Sequence, residues 1–392
     1  MSRRNSSLLV RDIGEQGLLA RLQPFCPRDI VGDDAAVIPA PEQGQSLVVT
    51  TDVLVDRVHF SDRTTSPQDV GWRAAAANLS DLAAMGASPL GITVGLSVGG
   101  DVVVSWVEEL YQGLNQCLQQ YNVPIVGGDI CRSPVVSISI TAFGQVFPHR
   151  TIRRSVAQVG DAIVVSGVHG ISRGGLELLL NPEFGLHLTQ TERMSLIHAH
   201  QRPQPRLDIL PLLENILDSQ SSISLAGMDS SDGLADAVVQ ICRASGVGAV
   251  VERTRIPLPL VLNKVVQEVR RQEAGGRRQE AEGRKQKAES RRKESLHGKV
   301  FNPLSPVGDF RRDALVSLEQ VWDWVLYGGE DFELVLCLPT ELAEVLVEQL
   351  GEGAAVIGKI TTGNEIWLKD STGTYADEEL SLSRGFQHFR CT

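Results

Sequence analysis

Acidic residues follow apolar runs at five separate places in this chain, and this arrangement constrains its fold more than any other feature. The five places are Asp33/Asp34, Asp52, Asp129, Asp229/Asp232 and Glu330/Asp331. Short apolar runs that end in polar residues predict buried strands, and strand ends are where a parallel or mixed sheet presents ligand-binding side chains. The pattern therefore predicts an α/β fold in which these carboxylates converge.

Convergence of so many carboxylates needs an explanation, because two unit charges about 4 Å apart repel by roughly 4 kcal/mol at an effective dielectric of 20. The stretch "AGMDSSDGLAD", residues 226–236, has two interpretations. In the first, Ser230, Ser231 or Asp232 caps a helix that ends at Gly246. In the second, the carboxylates bind a divalent cation, which prefers hard oxygen ligands. This stretch alone favours the cap, whereas the other acidic sites favour the cation.

Two elements are predicted around Asp52. Residues 47–49 predict a buried strand, and Thr50, Thr51 and Asp52 at its end are oxygen donors suited to magnesium. The alanine-rich stretch 66–86 predicts a buried helix. The polar residues that depart from simple core patterning in this helix are Asn78, Ser80 and Asp81.

Two more elements are predicted around Asp129. A strand is expected to end at Gly127, Gly128 and Asp129, where glycines would let a phosphate approach the backbone. The alternation in "VVSISITAFGQV", residues 135–146, then predicts a half-buried antiparallel strand. Residues 166–180 predict a loop that leads into a helix, either as a mobile loop beside phosphates or as a plain junction.

Composition limits the class of protein. A length of 392 residues predicts two domains, and a net charge of −11 disfavours non-specific nucleic-acid binding by the body of the protein. The six cysteines include no CxxC pair, which argues against a zinc site or a disulfide framework and favours a reducing compartment. No run of 18 apolar residues occurs, so a cytoplasmic protein without a membrane segment is expected, with a short transit peptide left open.

Residues 264–299 differ from the rest of the chain. They hold 12 Lys or Arg and 6 Asp or Glu in a near-repeat of seven, which leaves the remainder of the chain at −17. Apolar residues are almost absent after Val269, so the segment cannot form a core, and no apolar heptad positions support a coiled coil. A solvated insertion is favoured over a basic arm that binds RNA or anionic surfaces.

Six motifs occur in a fixed order: "GDDAAV", "TTDVLVDRVHF", "NLSDLAAMGASP", "VGGDICR", "SSDGL" and "YGGEDFEL". Together they resemble the thiamine-monophosphate kinases, a family of the aminoimidazole-ribonucleotide synthetase-like ATP-binding superfamily. The resemblance extends from about Asp12 to Phe389, apart from the insertion. It implies transfer of the γ-phosphoryl group of ATP to thiamine monophosphate, which gives thiamine diphosphate and ADP.

The resemblance also implies site residues. The ligands of several Mg²⁺ ions would be Asp34, Thr50, Thr51, Asp52, Asp81, Asp129, Asp229 and Asp232, with Asp52, Asp81, Asp129 and Asp229 as the catalytic cluster. ATP would contact Tyr111, Gly127, Gly128, Arg154 and Ser231. Thiamine monophosphate would be held by His59, Glu330 and Phe386. No general base is implied, because the acceptor phosphate oxygen is already deprotonated near neutral pH.

The family's architecture implies two domains and a homodimer. Residues 1–147 would form an ATP- and metal-binding domain whose strands pair into a barrel with those of a second subunit. Residues 148–392 would form a second α/β domain, interrupted by the insertion at about 264–312.

Three alternatives stay open. Selenophosphate synthetase would need a reactive Cys or selenocysteine and a Lys near the N-terminus, yet Cys26 is the first cysteine and Lys264 the first lysine. The hydrogenase-maturation relative would need a terminal cysteine, and Cys391 lies one residue short of the end. A non-catalytic nucleotide- or RNA-binding protein would have no need of the acidic sites, all of which are present.

Overall fold

The computed structural model describes residues 8–27, 30, 35–185, 188–218, 224–264 and 317–385. Apart from Lys264, the basic insertion lies outside these residues, and so do Asp33, Asp34, Phe386 and Cys391. No helix in the described ranges is long and apolar enough to cross a membrane.

The first sheet has four strands in the order β1-β4-β2-β3. Its elements are α1 (Val10–Leu22), β1 (Ser46–Val55), α2 (Pro67–Ala84), β2 (Ser88–Val98), α3 (Val104–Gln119), β3 (Ile125–Arg132) and β4 (Ser137–Val146). Strand β4 is antiparallel to β1 and β2, and β2 is parallel to β3. Helices α2 and α3 cover one face, and their core includes the fully buried Leu79, Leu114 and Ile140.

The second sheet has seven strands in the order β11-β10-β7-β9-β5-β8-β6. Its elements are β5 (Ala162–Val165), α4 (Ile171–Leu180), α5 (Gln190–Gln201), α6 (Leu210–Asp218), β6 (Ala226–Asp229), α7 (Leu234–Ser245), β7 (Gly248–Glu252), α8 (Leu318–Tyr327), β8 (Leu334–Leu338), α9 (Thr340–Leu350), β9 (Ala355–Thr361), β10 (Ile366–Lys369) and β11 (Glu378–Glu379). Two separate cores flank this sheet, one with α7 and α8 and the other with α6 and α9. The predicted α/β class is confirmed.

Helix α2 confirms the helix predicted at 66–86. Its N-cap is Ser66, whose side chain accepts the Asp69 N–H at 3.2 Å, and Pro67 occupies the first turn, where its missing N–H costs nothing. The side chains of Asn78 and Ser80 are fully buried. Because buried polar groups need partners, these two residues point to contacts made by this face of the helix.

Two predicted strand ends are wrong. Strand β1 does not stop before Thr50 but runs to Val55, and it is not buried on both sides, since Leu47 and Val49 are 49% and 54% exposed. The reason is that β1 is an edge strand of a sheet covered by helices on one face only. Strand β3 likewise continues through Asp129 to Arg132 because β2 pairs with it as far as Val98. The half-buried antiparallel strand predicted next is confirmed as β4.

The capping interpretation of "SSD" is also wrong. Helix α7 begins at Leu234, and its N-cap is Gly233, with a φ of 107° that favours glycine. Its C-cap is Gly246, as predicted, with a φ of 68°. The side chains of Ser230, Ser231 and Asp232 are therefore available for other contacts.

Candidate active site

The candidate active site lies where α2 of the first sheet meets the loops at one end of β6 and β8. These two strands are antiparallel, so the loop after Asp229 and the loop before Leu334 lie side by side. The Glu330 N–H donates to the Ser231 carbonyl oxygen at 2.8 Å. Gly329 allows this approach, because a Cβ there would come within 2.3 Å of the same oxygen.

Side chains from both sheets meet at an acidic cluster, which we define as Thr50, Asp52, Asp81, Asp229 and Asp232. Thr50 Oγ1 donates to the carboxylate of Asp81. Ser80 Oγ, on α2, donates to Asp229 at 2.8 Å and thereby joins the two sheets. The polar residues of the predicted helix, Asn78, Ser80 and Asp81, thus lie on the side of α2 that faces this cluster.

Two further hydrogen bonds orient the cluster. The Asp52 N–H donates to Asn78 Oδ1 at 3.2 Å, and Asn78 in turn donates to the Ala74 carbonyl oxygen at 3.0 Å. Ser231 Oγ donates to Asp229 at 3.1 Å. The hydroxyl of Ser231 therefore supports a carboxylate of the cluster.

Burial and mutual repulsion set the electrostatics of the acidic cluster. The pKa of Asp52 is raised to about 6, first by burial and then by the nearby carboxylates of Asp81 and Asp232. Burial also raises the pKa of Asp229 to about 7, with Asp81 as the next cause. The pKa of Asp81 is raised by burial and lowered by Thr50 and by the guanidinium of Arg154. The cluster thus gathers more negative charge than its protein neighbours offset.

The donor chemistry of the cluster fits magnesium, because it consists of carboxylate and hydroxyl oxygens. Within the described ranges, no three His, Cys, Asp or Glu side chains are arranged to hold one metal ion. Magnesium keeps several waters and is held by one or two carboxylates together with substrate phosphates. The cluster therefore fits ions shared with phosphate rather than a site made wholly of protein ligands.

Two of the predicted metal ligands lie on the opposite face of the first sheet. Directly paired residues share a face, and Asp129 lies in one row with Gly95, Ser139 and Val53. Asp52 is next to Val53, so its side chain points the other way. Three strand spacings, or about 14 Å, separate β1 from β3. Asp129 and Asp52 of the same chain therefore do not meet.

Thr51 shares the uncovered face with Asp129, since its hydroxyl lies 2.9 Å from Thr141 Oγ1 on β4. The remaining predicted ligand, Asp34, lies outside the described residues. The structure thus brings together five of the eight predicted metal ligands.

The residues predicted to contact ATP differ in their solvent exposure. Arg154 is exposed beside the acidic cluster and donates to Gln240 at 2.6 Å. At Gly128, an added Cβ would come within 2.2 Å of the Val94 carbonyl oxygen, so only glycine fits there. Tyr111 is buried in the core on α3, with its ring 5.9 Å from that of Phe25. The roles of these residues and of Gly127 in ATP binding stay predictions.

His59 lies in the turn after β1. Its Nδ1 accepts the Val55 N–H at 3.0 Å, so the proton of the neutral ring is on Nε2. The adjacent turn is tight, since Arg57 has a φ of 64° and its N–H donates to the Phe60 carbonyl oxygen at 2.8 Å. The turn therefore fixes His59 as a hydrogen-bond donor through Nε2.

Glu330 lies on the opposite side of the junction between the two sheets. Its φ of 70° is unfavourable for a residue with a side chain, and such strain marks candidate functional positions. Its carboxylate, 36% exposed, accepts a hydrogen bond from the buried guanidinium of Arg73. Sequence reasoning missed Arg73, although a lone positive charge inside an alanine-rich buried helix was a usable signal.

The other carboxylates of the Glu330 loop have partners within the protein. Asp331 accepts the backbone N–H groups of Gly170 and Ser172 at 2.6 and 2.8 Å and so caps α4. Glu333 accepts hydrogen bonds from Arg206 and from the hydroxyl of Ser166. The third predicted substrate contact, Phe386, lies outside the described residues.

Comparisons with known proteins give matches along most of the chain. The chain matches the family models for AIR synthase related protein, N-terminal domain over residues 32–146 and C-terminal domain over residues 158–284. It is 48% identical to the thiamine-monophosphate kinase of Synechococcus elongatus over 378 residues, which cover 96% of this chain and 97% of the relative.

Two solved structures share the fold. The structure of AaThiL complexed with AMPPCP and TMP is 26% identical, with a TM-score of 0.63, and the match covers 98% of this chain and 100% of that one. Hydrogenase maturation protein HypE in complex with ATP has a TM-score of 0.64 over 97% of this chain and 99% of that one. At 18% identity, the second likeness shows the fold alone. Sequence and fold together place this chain in the thiamine-monophosphate kinase family.

Proposed function

We propose that this chain transfers the γ-phosphoryl group of ATP to thiamine monophosphate and releases thiamine diphosphate and ADP. Family membership supports this activity. The observation in this chain that supports it is the backbone hydrogen bond of 2.8 Å from the Glu330 N–H to the Ser231 carbonyl oxygen, because it ties the proposed acceptor contact Glu330 to the loop next to Asp229 and Asp232. Donor phosphates and acceptor phosphate can therefore meet at the junction between the two sheets.

Magnesium would be held by the acidic cluster, with Asp34, Thr51 and Asp129 as further proposed ligands. When bound, it would offset the charge of the two phosphate groups and of the phosphoryl group in transfer. The carboxylates themselves exclude a purely protein-bound phosphate, because they would repel it. Arg154, beside Asp81, adds a positive charge that would attract the ATP phosphates.

The acceptor would be recognised by chemistry that the chain supplies itself. The thiazolium ring of thiamine is cationic, and the partly exposed carboxylate of Glu330 is complementary to it. The Nε2–H group of His59 can donate to an oxygen of the acceptor. The acceptor phosphate is largely deprotonated at pH 7, so direct in-line attack needs no general base. Phe386 is proposed as an aromatic contact for the same ligand.

The working form is proposed to be a homodimer. Leu47, Val49 and Val53 leave apolar side chains exposed on the uncovered face of the first sheet, at its edge strand. Burying this face against a second copy would remove that apolar surface from water. It would also place Asp129 and Thr51 at the interface between subunits. The cytoplasm is the expected compartment, because the reaction consumes ATP.

The test is ADP release from ATP with Mg²⁺ and one of three acceptors: thiamine monophosphate, thiamine or none. ADP should form only with thiamine monophosphate, since the hydroxyl of thiamine would need a general base and the carboxylates of the acidic cluster are proposed to hold magnesium instead. Equal rates with thiamine, or no acceptor-dependent ADP at all, would contradict the proposed function.

A further inference from the structure

Arg73 is the buried charge at the junction between the two sheets. It lies on α2 with only 2% of its side chain exposed. A buried guanidinium is stable only when its N–H groups have partners and its charge is balanced. The contacts of Arg73 therefore indicate which segments of the chain it holds in position.

The two Nη groups of Arg73 reach three segments of the chain. Nη1 donates to the backbone carbonyl oxygen of His200 at 2.8 Å and lies 3.1 Å from Nε2 of the His200 ring. Nη2 donates to the His59 carbonyl oxygen at 3.2 Å and to the carboxylate of Glu330. The Nε group is buried without a hydrogen-bond partner in the described part of the chain. One planar guanidinium thus joins the turn after β1, the end of α5 and the loop before β8.

His200 completes this arrangement without balancing the charge. It is 3% exposed, and its Nδ1 lies 3.2 Å from Ser172 Oγ and 4.0 Å from the Glu330 carboxylate. Burial and the neighbouring Arg73 lower the pKa of His200 to about 2, so its ring is neutral. Among the described residues, Glu330 is the carboxylate that forms an ion pair with Arg73.

Glu330 depends on that ion pair for its orientation. Its backbone has a φ of 70°, and its N–H is tied to Ser231 at 2.8 Å. The backbone is therefore fixed by the loop that follows Asp229 and carries Asp232, whereas the carboxylate is directed by Arg73. Since Arg73 also binds the carbonyl oxygen of His59, one side chain sets the separation between the two proposed acceptor contacts.

We propose that Arg73 is a positioning residue for the phosphoryl acceptor: it holds Glu330 and His59, from opposite sides of the junction, at the separation that grips thiamine monophosphate. This inference rests on the proposed function. Arg73 is too deeply buried to contact the substrate, so its effect acts through these two residues. Its removal should weaken acceptor binding and leave ATP binding intact.

The experiment compares Arg73→Met and Arg73→Lys with the parent protein, with thiamine monophosphate and ATP varied in turn. Arg73→Met should raise KM for thiamine monophosphate at least about tenfold, because a charge-assisted contact directing Glu330 is lost. KM for ATP should stay within about twofold. Lysine keeps the charge but cannot bind two partners through a planar fork, so Arg73→Lys should be intermediate.

Arg202→Met is the matched control. Arg202 pairs with Asp69 at 2.7 Å across the same junction and stacks on Trp72 at 5.4 Å, away from Glu330 and His59. This variant should lower Tm and leave both KM values unchanged. A purely structural role for Arg73 would give the same result for the two arginines.

A double variant separates positioning from general damage. In a Glu330→Gln background, adding Arg73→Met should raise KM for thiamine monophosphate by a smaller factor than it does in the parent, because one of the two contacts that Arg73 holds has already been altered. Unchanged KM values in Arg73→Met, or equal rises for both substrates, would overturn the inference. If Arg73→Met does not fold, a parental KM for thiamine monophosphate in Arg73→Lys would overturn it. Absence of ADP formation by the parent would instead reject the proposed function.

Discussion

Two groups of carboxylates lie side by side at this junction and differ in what surrounds them. In the acidic cluster, the charges that raise the pKa of Asp52 are the carboxylates of Asp81 and Asp232. The second group, here called the paired carboxylates, is Glu330, Asp331 and Glu333. Each of these has a donor from the protein: Arg73, the N-terminal N–H groups of α4, and Arg206, respectively.

Burial raises the pKa of carboxylates in both groups, so it does not distinguish the acidic cluster from the paired carboxylates. It raises the pKa of Asp229 and that of Asp331 to about 7 in each case. The other causes differ: the carboxylate of Asp81 also raises the pKa of Asp229, whereas the backbone N–H groups of Ser172 and Gly170 lower that of Asp331. A carboxylate that lies beside other carboxylates and accepts from hydroxyl groups, as Asp229 does, is suited to an external cation. A carboxylate that accepts from a guanidinium or from helix N-terminal N–H groups is suited to holding structure. Loss of the first should affect turnover, and loss of Asp331 or Glu333 from the second should affect stability.

The largest effect is expected from Asp52→Asn. Removing a charge that helps to hold a cation against the phosphates should lower turnover at least about a hundredfold. The variant should melt no lower than the parent, because one of the mutually repelling carboxylates becomes neutral. ADP formation at saturating Mg²⁺ and thermal unfolding without Mg²⁺ measure the two effects.

Asp161→Asn is the control for this variant. Asp161 is a partly buried carboxylate just before β5 that accepts the Gln158 N–H at 2.8 Å, at the end of β8 opposite to Asp229. Its replacement should leave turnover unchanged. Near-normal turnover of Asp52→Asn would remove the distinction between the two groups of carboxylates.

The next effect is expected from Arg206→Met, which should lower the free energy of unfolding by about 3 kcal/mol, because it leaves Glu333 buried without its cation. Turnover of the folded enzyme should be largely unchanged. Asp208 is the second carboxylate that pairs with Arg206, and its side chain is 61% exposed. Asp208→Asn should therefore lower the free energy of unfolding by less than about 0.5 kcal/mol. Denaturant unfolding of both variants measures the difference. A fall in turnover without a fall in stability would place Glu333 in the first group.

A smaller effect is expected from Asp331→Ala. The N–H groups of Gly170 and Ser172 would lose their acceptor at the start of α4, which should cost about 1 to 2 kcal/mol. Asp331→Asn keeps one acceptor oxygen and should cost about half as much. Equal stabilities of the alanine variant and the parent would show that Asp331 does not cap this helix.

The sequence made all these carboxylates visible but could not divide them into two groups. Apolar runs followed by Asp or Glu predicted where strands and loops alternate, and the α/β class followed. The division depends on partners remote in sequence: Arg73 lies 257 residues from Glu330, and Arg206 lies 127 residues from Glu333. Local patterns carry no information on such pairs.

The sequence also did not show which face of the sheet each strand side chain occupies. Thr50 and Thr51 are equivalent as a motif, yet one faces α2 and the other faces the uncovered side. The predicted strand end before Thr50 was wrong because an edge strand with one bare face keeps exposed apolar residues such as Val49. By contrast, the polar exceptions Asn78 and Ser80 were useful, since polar groups buried in a helix must have partners.

The smallest effect is expected from deleting residues 265–298. This basic segment holds most of the positive charge outside the described residues. If its Lys and Arg side chains balanced the acidic cluster, the difference between the two groups of carboxylates would disappear. Its composition argues against that role: it has no apolar face with which to dock, and loop-closure free energy changes slowly with length. The protein that joins Lys264 to Lys299 should melt within a few degrees of the parent and keep the parental turnover and Mg²⁺ dependence. A Gly/Ser segment of the same length in place of residues 265–298 separates charge from length. If both variants need more Mg²⁺ or melt much lower without it, the insertion balances the cluster. If the deletion instead removes salt-sensitive RNA binding that the parent shows, the segment is a basic arm.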